Sequence, residues 1–175
     1  MLPDDVKKTA RRERRTKTAE QALAALMRLC ARAEKSEGDA RRLLRGWGVA
    51  EAEAGQVVAR LVRERFIDDR RYAEAFVREK LRLSGWGEYK LRTALQRKGI
   101  ARELIDAALQ QTDRPAMAAR LAERLARTAR STRAENDYEL KTKLIRYGLS
   151  LGYDYETVLD TVSQLIKDTD SCKDF

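Results

Sequence analysis

Histidine is absent from the 175-residue sequence, and cysteine occurs twice, at Cys30 and Cys172. Without imidazole there is no His-assisted nucleophile, and the ligand set of an ordinary zinc site is missing. No Gly-rich loop ending in Lys-Ser/Thr offers to cradle phosphates, and no spaced carboxylates suggest a metal. An enzyme is therefore not expected, and neither is a cofactor or a metal. Cys30 falls in step with Leu23, Leu26 and Met27, which assigns it to packing. Cys172 lies in a polar tail and is expected to be a free thiol in a reducing compartment. The side chains that remain able to do chemistry are cations: 37 Lys and Arg stand against 28 Asp and Glu, a formal charge of +9. Such an excess favours a polyanionic partner and speaks of association, not of fold.

These cations are concentrated. Residues 115–133 carry Arg120, Arg124, Arg127, Arg130 and Arg133 with Glu123 as the single acid. At helical spacing Arg120, Arg124 and Arg127 form a stripe opposite Leu121 and Leu125. Guanidinium groups suit phosphates and carboxylates, but such a stripe can also be a solvated face. The middle of the chain adds Arg78, Lys80, Arg82, Lys90, Arg92, Arg97 and Lys98, interleaved with Trp86 and Tyr89. Trp86 could stack on a base, although a Trp between two glycines more commonly covers a core; Trp47 invites the same caution. Residues 1–18 hold seven basic and three acidic residues without an apolar period, and are expected to form a disordered basic arm. From residue 134 onward the sign reverses, with nine acids against five bases.

The elements that must position these cations are helices. Charged residues make up 37% of the chain and aromatics 6%, with 9 Gly and 2 Pro, a mixture suited to helices and not to sheets. Thr18 with Gln21 predicts a capping box before a helix over about 19–33. Ser36 with Asp39 opens a second helix that carries Leu43 and Leu44 to Gly46-Trp47-Gly48. A third, over about 50–64, buries Ala54, Val57, Val58 and Leu61. Asp68 or Asp69 then caps a helix with Tyr72, Ala75, Phe76 and Leu83 inward. Past Gly85-Trp86-Gly87 come Leu91, Ala94 and Leu95, then Gly99, then Leu104, Ile105, Ala108 and Leu109. Asp113, with Pro115 behind it, opens a third round through Leu121 and Leu125, a Thr132/Glu135 box, Leu140 and Leu144, Gly152, and finally Tyr155, Val158, Leu159 and Val162.

Gly48, Gly99 and Gly152 recur at 51 and 53 residues. Each follows the second helix of a unit, with Ala54, Ile105 and Val158 at equivalent places beyond it. The tripeptides at 46–48 and 85–87 are thus not equivalent, since the second joins the first helix of a unit to its second. The expectation is an all-α chain of three tandem three-helix repeats: an arm to residue 18, repeats over 19–67, 68–112 and 113–167, and a polar tail over 168–175. Gly48, Asp69, Tyr72, Phe76, Leu95, Gly99, Ile105, Leu109, Gly152 and Val158 are the expected structural positions. No apolar run approaches the ~20 residues of a membrane span, and the chain is expected to be a cytoplasmic monomer.

"FIDDRRYAEAFVREK", "GWGEYKLRTALQRKGIARELIDAAL" and "KLIRYGLSLGYDYETVL", in that order, resemble the RecX family of bacterial proteins that regulate the RecA recombinase. The likeness runs over roughly residues 20–165 and is most specific in the middle repeat. It implies an elongated, curved array of three-helix repeats and a non-enzymatic inhibitor that binds in the groove of RecA filaments on single-stranded DNA, blocks their growth and lowers ATP hydrolysis and strand exchange. Through RecA it would bear on recombination, DNA repair and the SOS response. Two places depart from the family pattern: Arg45-Gly46-Trp47-Gly48-Val49 stands where Lys-Gly-aromatic is usual, and Gly148 stands where Leu is. Charge and helices alone also fit a helical-repeat protein that binds single- or double-stranded DNA independently of RecA, or a structural adaptor.

Overall fold

The computed structural model describes residues 16–171, and all regular structure among them is helical. The chain divides into two compact units, one ending at Ile67 and the other beginning at Asp68.

The first unit contains α1 (Ala19–Arg32), α2 (Glu37–Gly46) and α3 (Glu51–Arg63). The capping box at Thr18 and Gln21 is formed, and Ser36 accepts the Asp39 amide, so both helices start where their side-chain oxygens satisfy otherwise unpaired donors. Ala22 and Leu26 of α1, Ala40 and Leu44 of α2, and Val57, Val58 and Leu61 of α3 are buried together; Leu23, Met27, Cys30 and Trp47 pack around them. The expected arm of residues 1–18 lies largely outside the described residues, but its last residues are engaged. The Lys17 amide donates to the Trp47 carbonyl at 3.0 Å, and the Lys17 ammonium stands 4.2 Å from the centre of the Trp47 ring. Trp47 therefore covers the core and holds the root of the arm. Cys172 and the end of the polar tail lie outside the described residues.

The second unit begins with α4 (Asp69–Glu79), which runs into a π-helical turn (Lys80–Ser84), followed by α5 (Glu88–Arg97) and α6 (Arg102–Gln110). Then come α7 (Arg114–Ser131), α8 (Asp137–Ser150) and α9 (Tyr155–Ser171). One core joins Tyr72, Ala73, Val77, Leu91, Leu95, Ile105 and Leu109, with Phe76 and Trp86 partly buried against it. A separate core joins Leu121, Leu125, Leu144, Tyr153, Val158 and Val162. Gly148, the departure from the Leu of the family pattern, is buried because α9 comes close: a Cβ there would lie 2.7 Å from a methyl of Val158.

Five local expectations are narrowed or corrected. The N-cap of α4 is Asp68, which accepts the Arg71 amide, and Asp69 is the acid of the first turn. Leu83 is 61% exposed, not inward. The π turn takes an extra residue, so a position seven after Phe76 no longer shares its face. The buried face of α4 also runs through Ala73 and Val77, while Ala75 is only half-buried. No Thr132/Glu135 box forms: Thr132 ends α7, and Asn136 caps α8 by accepting the Glu139 amide. Tyr155, in phase with Val158 and Val162, is nonetheless exposed, because a side chain in the first turn leans toward the N-terminus and beyond the core.

What joins the two helical triplets of the second unit is main chain on main chain. α5 has no side-chain cap; instead the Gly87 amide donates to the Leu151 carbonyl at 2.8 Å, and the Tyr89 amide to the Gly152 carbonyl at 3.0 Å. The Lys90 ammonium adds a bond to the Ser150 carbonyl at 3.1 Å. The unpaired acceptors leaving α8 thus serve the unpaired donors entering α5. Such an approach requires glycine: a Cβ on Gly87 would overlap the Gly152 carbonyl, and one on Gly152, itself at φ +90°, would overlap Lys90.

Gly87→Ala should therefore destabilise the second unit by about 1–3 kcal/mol or more as an overpacking change. Gly55→Ala, in mid-α3 with open space around it, should stabilise the first by about 0.5–1 kcal/mol. Denaturant unfolding of both variants tests the pair, and similar small shifts would contradict it. Within the middle triplet, Leu109→Ala should cost about 2–5 kcal/mol as a buried truncation, whereas exposed Gln110→Ala should be close to neutral. Equal effects at the two positions would contradict the phase of α6.

Candidate interaction surface

α7 owes its length to an Ala-rich sequence, to Asp113, which accepts the Ala116 amide, and to Pro115 in the first turn. Its apolar stripe, Leu121 and Leu125, is fully buried, and this orients the arginine stripe of the opposite face. That face meets the π turn at its near end. Arg120 donates from Nη1 to the Leu81 carbonyl at 2.8 Å, satisfying one of the acceptors that the π turn leaves open. Arg124 lies across Gly85, the left-handed residue that closes the turn, where a Cβ would stand 2.8 Å from its Nε. Both guanidiniums also lie near Tyr153. Burial pushes that phenol's pKa up while Arg124 and Arg120 pull it down, and its hydroxyl donates to the Met117 carbonyl at 3.2 Å. Of the stripe, Arg127 is exposed and makes no such engagement. Two of the three arginines thus hold α7 against the turn that follows α4.

The cations of the middle triplet separate in the same way. Arg92 is paired with Asp106 and with Glu88, and the bond to Asp106 is the main reason its guanidinium is held above its ordinary pKa. Lys80 pairs with Glu79 at 3.0 Å, and its ammonium stands 5.7 Å from the Trp86 ring centre, with Lys90 at 4.9 Å. Trp86 also meets Phe76 edge-on at 6.2 Å. This places the indole as a lid on the core rather than as an open platform. Arg97 and Lys98, at the end of α5, are each engaged by a neighbouring group. Arg78 and Arg82 are exposed and form no ion pair among the described residues.

Two grooves flank the start of α7. The larger, about 820 Å³, runs past Glu88, Tyr89, Arg92, Arg114 and Tyr153. Its charges neutralise one another, for Glu88 lies 3.1 Å from Arg92 and 3.8 Å from Arg114. The smaller, about 350 Å³, brings Arg78 and Arg82 of α4 and the π turn face to face with Arg120 of α7. Sequence spacing does not put these residues together, as they belong to different triplets. Gly85 is the available signal, a left-handed stop across which Arg124 of α7 lies. Among the described residues no group of three His, Cys, Asp or Glu could hold a metal ion, and no helix is long and apolar enough to cross a membrane.

Residues 68–109, the middle triplet, match the family model described as RecX, second three-helix domain. The chain is 31% identical over 135 residues to the regulatory protein RecX of Clostridium botulinum (strain Eklund 17B / Type B), covering 75% of this chain and 62% of that protein. It is 26% identical over 133 residues to the regulatory protein RecX of Prosthecochloris aestuarii, covering 76% and 85% of the two chains. The chain thus spans about three fifths of the length of the clostridial relative. The crystal structure of RecX from Lactobacillus salivarius shares the fold at a TM-score of 0.69 and 21% identity, over 84% of this chain and 96% of that one. Family model, relatives and fold agree with the arrangement of triplets built from the residues, and over most of its length the chain is similar to proteins of the RecX family.

Proposed function

We propose that this protein is a non-enzymatic regulator of RecA, which binds RecA filaments on single-stranded DNA and lowers their ATP hydrolysis. Similarity to a family of regulatory proteins supports the reading. The observation that carries it to particular residues is the separation of the cations. Many of the basic side chains of the second unit have intramolecular partners, whereas Arg78 and Arg82, which line one cleft, form no ion pair, and neither does Arg127. Cations left in this way are available to an anionic surface, and steering by them raises association rates as well as specificity. Arg120 and Arg124 have a different part, since they hold the π turn on which Arg82 is carried. DNA is a second candidate partner, served by the exposed arginines and by the basic N-terminal residues. For that test a truncation should stop at residue 15, because Lys17 and Thr18 belong to the first unit.

Substoichiometric protein should lower RecA-catalysed ATP hydrolysis on single-stranded DNA, and Arg78→Glu/Arg82→Glu should weaken that inhibition by about tenfold or more without loss of helicity. Arg120→Glu/Arg124→Glu should differ by also lowering the unfolding temperature, because it places carboxylates against the Leu81 carbonyl and beside Tyr153. ATP hydrolysis assays and circular dichroism on both variants decide the matter. Unchanged RecA activity at excess protein, together with tight DNA binding, would favour a nucleic-acid-binding protein that acts independently of RecA.

A further inference from the structure

We infer that the smaller cleft, between Arg78 and Arg82 on one side and Arg120 on the other, is a docking site for a short acidic stretch of a protein partner in which carboxylates are spaced by aliphatic side chains. This rests on the proposed reading of the chain as a regulator that binds protein, and names the chemistry of the segment it takes.

The first ground is charge. Three arginines elsewhere in the same unit find carboxylates: Arg92 with Asp106 and Glu88, Arg102 with Asp106, Arg114 with Glu88. In the cleft none does. Arg120 uses one donor on the Leu81 carbonyl, and the others of its fork remain for a ligand. Two acids line the same cleft, Glu74 and Asp113. Asp113 is engaged as the N-cap of an 18-residue helix, where the positive end of the helix dipole offsets its charge. Glu74 is left to face three guanidiniums, so the cleft is complementary to an anion.

The second ground is the floor, which decides what kind of anion. Between the arginines lie Val77, Leu81, Ala108 and Met117. A phosphodiester backbone has no apolar group to fill such a floor, and a base would need an aromatic face to stack on, of which the cleft has none. The aromatic residues of the triplet, Tyr72, Phe76, Trp86 and Tyr89, all lie outside it. A peptide with Glu or Asp flanking Leu fits both features. Its carboxylates can take bidentate bonds from Arg78, Arg82 or Arg120, and its aliphatic side chain can displace water from the floor, where Met117 supplies an adaptable surface. Burying apolar contact beneath charge-assisted bonds is the arrangement that concentrates binding energy in a few residues.

The test uses the full chain and a fluorescein-labelled octapeptide of alternating Glu and Leu, read by fluorescence anisotropy, with ¹³C-methyl NMR of Leu81, which lines the smaller cleft and not the larger groove, reporting the place. The peptide should bind and shift the Leu81 methyl resonances. Arg78→Gln/Arg82→Gln should weaken it by about tenfold or more, as should replacing every Glu of the peptide by Gln. Arg146→Gln, on α8 and outside the cleft, should leave binding as it is. Equal binding by the Gln–Leu peptide or by the double variant overturns the inference, and so do unmoved Leu81 methyls. Displacement of the peptide by an octathymidylate at similar concentration would show a phosphate surface instead, and would equally overturn it. A protein that binds the peptide in this way yet leaves RecA ATP hydrolysis unchanged would contradict the proposed function and leave the docking site standing; inhibition of RecA without peptide binding would do the reverse.

Discussion

A helix end exposes backbone groups that must be satisfied, and in the second unit two such ends satisfy one another. The amides that enter α5 donate to the carbonyls that leave α8, at 2.8 and 3.0 Å. The exchange works only while neither strand of the crossing carries a Cβ at Gly87 or Gly152, because the two main chains lie at backbone contact. Once they are joined there, the position of α7 relative to α4 is no longer free. The long helix must pass the π turn, and its arginine face supplies what the turn lacks: a donor for the Leu81 carbonyl from Arg120, and a side chain over the bare surface of Gly85 from Arg124. The small cleft that Arg78, Arg82 and Arg120 share is a consequence of that passage.

The same residue type therefore has different fates a few ångströms apart. Arg92 and Arg114 meet Glu88, and the larger groove beside them is electrically balanced. Arg78 and Arg82 form no ion pair, and in the smaller cleft three arginines stand against Glu74 and Asp113. Surface ion pairs of this kind contribute little to stability, usually below about 1 kcal/mol. Their main effect here is to withdraw cations from the outside world and leave a smaller set, in defined places, for a partner. Charge spread evenly would attract any polyanion, whereas cations set beside an apolar floor can choose among anions.

The π turn shows how a local irregularity serves this purpose. A continuous α-helix from Asp69 would carry Leu83 into the core in phase with Phe76. The widened turn turns Leu83 out, ends the helix at a left-handed Gly85 and leaves the Leu81 carbonyl to be claimed from α7. Nothing in the apolar spacing of "YAEAFVREKLRLSGWG" announces the extra residue, because the difference between an α and a π turn is a single hydrogen-bond partner, chosen by what lies against the helix. The same limit applies to Tyr155, whose phase is right and whose place at the very end of a helix puts it beyond the core it points along.

Much of this protein is written in short windows. Thr18 with Gln21, Ser36 with Asp39 and Asp113 before Pro115 start helices because a side-chain oxygen accepts an amide only three residues further on. Leu91 with Leu95, Ile105 with Leu109 and Leu121 with Leu125 are buried because residues four apart share a face wherever a helix forms. Those interactions are local, so the sequence alone determines them, together with the three-fold recurrence of Gly48, Gly99 and Gly152. Which cations stay available is a different matter. Arg120 reaches a carbonyl 39 residues away, and Lys90 one 60 residues away. No local pattern contains both partners of such a bond. Only the packing of one triplet on the next, permitted by two bare glycines, decided that part of the arginine stripe would hold the structure together and that Arg78 and Arg82 would be left to meet something else.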